Sequence, residues 1–265
     1  MQPGAGIAQA IAGAAARGAP ALVGFLTAGF PERGRFRGQL ASLASAAEVV
    51  EIGVPFSDPM ADGATIQRSS RVALDGGVTL AWILGELAAL APRPAAPLLL
   101  MSYLNPLLAF GLGRLPGAAR DAGVSGFVVP DLPWEECAEF RAALNREDIA
   151  LVQMVTPVTP PARLAMLARA SQGFVYAVTT TGTTGGGVAV PDGMLAYLDR
   201  VREAAGVPVC AGFGIRNAAQ VARIAGHADG VIVGSALVEV IGRGEDPARW
   251  LVALRSAASP SASPV

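Results

Sequence analysis

Short apolar runs rich in Val, Ile, Leu and Phe alternate along this chain with longer Ala/Leu/Arg stretches whose apolar positions recur at helical spacing. Eight such runs occur, at residues 21–27, 49–53, 97–101, 126–129, 150–155, 174–178, 207–211 and 230–233. They lack polar alternation, as strands do when a parallel sheet is covered on both faces. Between them, segments 40–47, 80–90, 112–122, 161–170, 193–205 and 218–224 have the length and pattern of crossover helices, and a further helix at 7–17 precedes the first strand. Eight strand–helix units in about 250 residues predict an α/β fold of the (β/α)8 TIM-barrel type, with eight parallel strands and the extra N-terminal helix capping the floor. An open, doubly wound sheet is the rival arrangement, and it suits eight units less well.

Composition narrows the partners. With 265 residues, 52% of them apolar, and no shift in composition along the chain, one large core is expected, hence a single domain over 1–265. The Ser/Ala/Pro tail at 256–265 is expected to fray. A net charge of -1 with 15% charged residues gives no footprint for nucleic acid or for a membrane surface. No run approaches transmembrane length and the first 13 residues lack the pattern of a signal peptide, so a cytoplasmic protein is expected.

Missing residue types exclude chemistry. All twenty basic residues are Arg and none is Lys, which rules out a Schiff base on this chain, including covalent pyridoxal phosphate. His227 is the sole histidine, which argues against a catalytic zinc site and against a Ser-His-Asp triad, and no metal is expected. Cys137 and Cys210 read as small packed hydrophobes. Acid–base chemistry is what remains.

A barrel gathers its active site from the loops that follow its strands. The segment Glu51-Ile-Gly-Val-Pro-Phe-Ser-Asp-Pro-Met-Ala-Asp-Gly-Ala-Thr-Ile-Gln67 leads from a core strand into a loop with carboxylates at 51, 58 and 62. Burial at the strand raises the pKa of Glu51 and makes it a usable proton donor and acceptor near neutrality, whereas Asp62, beyond the turn, is expected to stay ionised. Two carboxyls in different environments suit a site that moves protons and also balances a developing positive charge. Glycine-rich strand ends follow at 181–187, 212–215 and 234–236, and a helix beginning near Ser235 would present its N-terminal end. Together they suggest a phosphate-bearing ligand.

The 51–67 segment resembles the signature of the tryptophan synthase alpha subunit. Phe25-Leu-Thr-Ala-Gly29, Met101-Ser-Tyr-Leu-Asn-Pro106, Val129-Pro-Asp-Leu-Pro133, Gly212-Phe-Gly-Ile215 and Gly234-Ser-Ala-Leu237 resemble further family blocks in the family's order, over roughly residues 5–245. The resemblance implies retro-aldol cleavage of indole-3-glycerol phosphate to indole and glyceraldehyde 3-phosphate, in an alpha2-beta2 heterotetramer whose beta subunit alone carries pyridoxal phosphate. It implies no cofactor in this chain. By the same resemblance Glu51 carries protons and Asp62 stabilises the charged indole nitrogen; otherwise Glu51 would be a buried ion-pair member and Asp62 an Asx turn before Gly63. Tyr176 matches a family tyrosine whose hydroxyl lies close to the catalytic glutamate, or is an ordinary core aromatic. Phe25, Leu100 and Phe213 match residues that line the indole pocket, although packing alone would also explain them. Gly214, Gly234 and Ser235 fall to the phosphate. Pro55 and Asp58 lie in the loop the family presents to the beta subunit.

The chain departs from the family pattern after strand six, where Thr180-Thr-Gly-Thr-Thr-Gly185 is followed by Gly186 and Gly187 and the usual arginine is absent. Thr184 and Gly185 are kept, so a hydrogen bond from the threonine to Asp62 on closure is retained as an expectation. Phe30 replaces an aspartate in the Ala-Gly-Asp-Pro turn, which predicts weaker local hydrogen bonding there. Three functions are compatible with these departures: an alpha subunit dependent on its partner, a stand-alone indole-releasing lyase, or a catalytically weak barrel that binds and activates a beta subunit.

Overall fold

The computed structural model describes residues 2–179, 190–212 and 214–258. Eight parallel strands close into a barrel in sequence order: β1 (Ala21–Thr27), β2 (Val49–Gly53), β3 (Leu98–Met101), β4 (Val124–Val128), β5 (Ala150–Val155), β6 (Val175–Val178), β7 (Val209–Gly212) and β8 (Gly230–Val233). Pairing of β8 with β1, through Ala21 opposite Gly230 and Gly24 opposite Val233, removes both edges and excludes the open sheet. Strands three and seven begin later than the apolar pattern suggests because Pro97 and Pro208 have no N–H for the ladder. Their carbonyls instead accept from Val50 and Val175 at 3.0 and 2.8 Å.

Each strand is buried on both faces, and its alternate residues serve two cores. Ala21, Val23, Val49, Leu99, Val128, Ala150, Phe174 and Cys210 point into the barrel. Leu22, Leu26, Val50, Ile52, Leu98 and Leu100 point outward, into the layer formed with the helices. Ile7 and Ile11 of α1 (Ala5–Ala16) join the inner cluster with no exposed surface and close the floor, as expected for the N-terminal helix.

The remaining helices are α2 (Phe36–Ala44), α3 (Ala64–Asp75), α4 (Leu80–Ala88), α5 (Leu104–Phe110), α6 (Leu115–Asp121), α7 (Ala138–Arg146), α8 (Pro161–Ala170), α9 (Asp192–Ala204), α10 (Ala218–Ile224), α11 (Ser235–Gly242) and α12 (Pro247–Ala258). The helix expected over 112–122 forms as α6, three residues shorter at its start, whereas α5, which Gly111 ends at φ 104, was not anticipated. The frayed tail predicted over 256–265 is also corrected at its start. Residues 256–258 complete α12, with the Ser256 hydroxyl donating to the Val252 carbonyl at 2.9 Å. Residues 259–265 lie outside those described.

Two further contacts bear on the site. Phe30, where an aspartate was expected, is buried against Gly242 at the end of α11, and its N–H still donates to the Thr27 carbonyl at 3.2 Å. Thr27, at the end of β1, shares a buried 2.7 Å hydrogen bond with Ser69, which fixes α3 over the barrel mouth.

Candidate active site

Position 51 has the inward parity of β2, directly above Val49, so its carboxyl is delivered into the base of a cavity at the C-terminal end of the strands. Glu51 has no exposed surface, and neither of its oxygens has a hydrogen-bond partner among the described residues. Burial, and secondarily the charge of Asp62, pushes its carboxyl up to about 8. A buried acid with unsatisfied oxygens is costly to keep, and it is positioned to exchange a proton with whatever enters.

Asp62 lines the same cavity, just before α3. Burial raises its carboxyl to about 6, opposed by a hydrogen bond from the Tyr103 hydroxyl. The expectation that Asp62 stays ionised therefore holds only above about pH 6. Tyr103 follows β3; its oxygen accepts from the Ala61 N–H at 2.9 Å and its ring lies 5.2 Å from that of Phe56. One hydroxyl thus fixes both the backbone and the carboxylate of the acidic loop.

Tyr176, on β6, also faces the cavity and is 4% exposed. Its ring sits over Gly212, where an added Cβ would come within 2.4 Å of the ring. Burial, with the charges of Glu51 and Asp62, raises its hydroxyl well above the usual tyrosine range, so it stays a neutral O–H. Phe25, Ile66, Met101 and Ile232 complete an apolar wall, and Gly214, Gly234 and Ser235 form the remaining edge. Gly214 has φ +83, and the first turn of α11 begins at Ser235. The cavity therefore has an acidic base, a flat apolar wall and an edge of backbone amides at a helix N-terminus. It suits a planar apolar group joined to an anion.

Leu100 is the exception among the sequence-derived lining residues. It is fully buried but has the outward parity of β3, in the layer with Val50 and Ile52, and Met101 supplies the wall from that strand. Phe213, Thr184 and Gly185, with the rest of the 181–187 loop, lie outside the described residues. Pro55 is buried, whereas Asp58 is exposed and accepts from the adjacent Ser57 hydroxyl. Tyr103, Ile66, Met101 and Ile232 escaped the sequence reading. Counting inward parity from Leu99 would have found Met101, but no sequence signal aims Tyr103 at Asp62.

No cluster of three or more metal-ligating side chains occurs among the described residues. His227 precedes β8, at the opposite end of the barrel, and its Nδ1 pairs with Asp199 at 2.8 and 3.0 Å. Cys137 and Cys210 are free and buried.

A family model described as "Tryptophan synthase alpha chain" matches residues 11–260. Two relatives bearing that name come from Nitratidesulfovibrio vulgaris strain Hildenborough, 44% identical over 241 residues (91% of this chain, 94% of the relative), and Chloroflexus aurantiacus, 42% identical over 239 residues (89% and 90%). Among solved structures, a tryptophan synthase of Mycobacterium tuberculosis superposes with TM-score 0.84 at 34% identity, covering 95% of this chain and 96% of the other. The tryptophan synthase a2b2 complex of Pyrococcus furiosus gives 0.82 at 34%, covering 90% and 97%.

Proposed function

The chain belongs to the tryptophan synthase alpha chain family, and from that premise we propose that Glu51, Asp62 and Tyr176 carry its reaction. That reaction is the lyase cleavage of indole-3-glycerol phosphate to indole and glyceraldehyde 3-phosphate, in tryptophan biosynthesis. The observation that carries the assignment is Glu51: buried, unpartnered among the described residues, and held near pKa 8 at the base of the cavity.

At neutral pH Glu51 enters the reaction protonated and gives its proton to C3 of the indole. The ring nitrogen then bears positive charge, which the ionised, half-buried Asp62 balances from the side of the cavity. The Glu51 carboxylate next takes the proton of the side-chain hydroxyl. As the carbonyl of glyceraldehyde 3-phosphate forms, the carbon–carbon bond breaks and its electrons neutralise the ring. Glu51 ends protonated, so a single carboxyl acts as acid and then as base. Tyr176 stays neutral beside it and its O–H is placed to orient the substrate. Phe25, Met101 and Ile232 hold the ring, and Gly214, Gly234 and Ser235 receive the phosphate through backbone amides.

The partner is a tryptophan synthase beta subunit. Met60, Leu108 and Val158 are exposed apolar side chains on segments that follow β2, β3 and β5, the end of the barrel at which Asp58 also lies, and they would face the beta chain there. Pyridoxal phosphate would belong to that subunit, because this chain has no lysine to bind it covalently. No described helix is long and apolar enough to cross a membrane, and we place the protein in the cytoplasm as one barrel domain.

The test is glyceraldehyde 3-phosphate production by the purified chain, alone and with saturating beta subunit. Strong stimulation is expected. Fast turnover alone would indicate an indole-releasing lyase, and absent turnover with a stimulated beta reaction would leave an activating barrel.

A further inference from the structure

Glu239 lies on α11 one helical turn beyond Ser235, and its carboxylate reaches two other elements that border the cavity. One oxygen accepts from the Thr65 hydroxyl, in the first turn of α3, at 3.2 Å. The other is bonded to the guanidinium of Arg216, in the turn that follows β7. Thr65 is three residues from Asp62 and Arg216 is two from Gly214. The Arg216 backbone N–H donates to Gln220 at 2.7 Å, and Gln220 completes the capping box at the start of α10. The turn carrying Gly214 is therefore fastened on one side to α10 and on the other, through Glu239, to α11 and α3.

A carboxylate one turn behind a helix end that receives an anion opposes that anion electrostatically. A neutral residue would avoid the cost. The Arg216 guanidinium offsets the charge, and the bridge to Thr65 gives the carboxylate a use that an apolar residue could not supply. Glu239 and Arg216 are only partly exposed, at 27% and 35% of their side chains, so the contact is sheltered from full solvent screening.

We propose that Glu239 is a positioning residue for the cleavage, setting the Asp62 side of the cavity through Thr65 and the phosphate side through Arg216. It touches no reacting atom and acts through both neighbours. The proposal rests on the lyase function given above.

Steady-state kinetics of the full chain with its beta partner test it, using T65V, R216Q, E239A, E239Q and the T65V/E239A double variant. T65V should lower kcat roughly tenfold, the scale of one hydrogen bond to a charged group, with little change in KM. R216Q should raise KM, and E239A should do both. Adding T65V to E239A should cost no further kcat, because the contact is already gone. In E239Q the amide oxygen can accept from Arg216, which only donates, while the amide N–H donates to the Thr65 hydroxyl, so kcat and KM should both recover toward wild type. Additive losses in the double variant, or an E239A protein with a lower melting temperature but unchanged kcat and KM, would overturn the proposal. A wild-type chain without turnover in the presence of its partner would overturn the lyase function instead. The bridge is then read from calorimetric titration with glyceraldehyde 3-phosphate, which should bind more weakly to E239A and R216Q; equal affinity for wild type and E239A would refute it.

Discussion

The ring of Tyr176 fills the space that a side chain on Gly212 would need: a Cβ there would fall 2.4 Å from the ring edge and 2.8 Å from the hydroxyl oxygen. Gly212 is fully inside the barrel, so the clash has no solvent-side relief.

Gly212→Ala should accordingly displace Tyr176 toward Glu51. Overpacking of this kind costs about 1–3 kcal/mol, and the altered cavity should lower kcat by at least roughly tenfold. Melting curves and steady-state kinetics read the two effects. An unchanged kcat would show that the position of Tyr176 is not critical.

Glu51→Gln should abolish cleavage while stabilising the fold. Below about pH 4.5 the wild-type carboxyl is protonated both folded and unfolded, so the two proteins should differ little. Between about 4.5 and 8 the unfolded chain ionises while the folded one retains its proton, and wild-type stability falls. The advantage of the variant should grow through that window to a few kcal/mol, approximately, and level off above it. Urea melts at pH 5 and pH 8.5 measure this; a constant difference would contradict the raised pKa, and retention of a tenth of the activity would remove Glu51 from its role.

Tyr103→Phe removes the hydrogen bond that opposes the upward shift of Asp62. The pKa of Asp62 should rise above about 6, so activity relative to wild type at the same pH should be lost at pH 6 to 7 and largely regained at pH 8, where Glu51 titrates equally in both proteins. The acid limb of the kcat profile is the readout, and an unmoved limb would mean that Asp62 is not the group it reports.

Gly234 and Gly214 should separate binding from folding. At Gly234 the nearest atom to an added Cβ is 4.0 Å away on Phe25, so Gly234→Ala should fit sterically, at some cost in stability because φ -105 and ψ -88 lie outside the common regions, and intrude on the phosphate edge, raising KM. Gly214, at φ +83, pays with backbone strain of about 1–2 kcal/mol on replacement, so its variant should lose stability as well. An unchanged KM in Gly234→Ala would move the phosphate elsewhere.

At the other end of the barrel, the Glu48 carboxylate accepts from the Leu22 N–H at 2.8 Å, from Arg255 at 2.7 Å and from Arg17 at 3.3 Å. It joins β1 to α1 and α12. Glu48→Ala should cost about 2 kcal/mol, lowering the melting temperature by several degrees. Activity at 25 °C should be unaffected, since Glu48 lies below the strands; a tenfold loss of kcat would contradict that separation.

The strands were legible because a parallel barrel buries both faces of each one, leaving uninterrupted apolar runs such as 21–27 and 150–155. Helix α3 was not, because the face it buries carries Ser69, Ser70 and Ala73 in place of an apolar stripe, with Ser69 accommodated by its bond to Thr27. Glu51 could be read as a lone carboxyl among the apolar residues of a core strand, although it stands at the middle of β2 and not at its end. Tyr103 and Glu239 could not, since each acts on a residue far away in sequence, Asp62 in one case and Thr65 in the other. Leu100 was misplaced by one step of strand parity, the step that separates the barrel interior from its outer layer.

Ile7 and Ile11 seal the barrel from below, which turns it into a cup. Cargo that enters a cup leaves by the rim it came through. The charged fragment of the cleaved substrate is at ease in water, but the indole is not, and whichever protein covers the rim meets it first. The N-terminal helix, far from any reacting atom, thereby decides the direction of traffic.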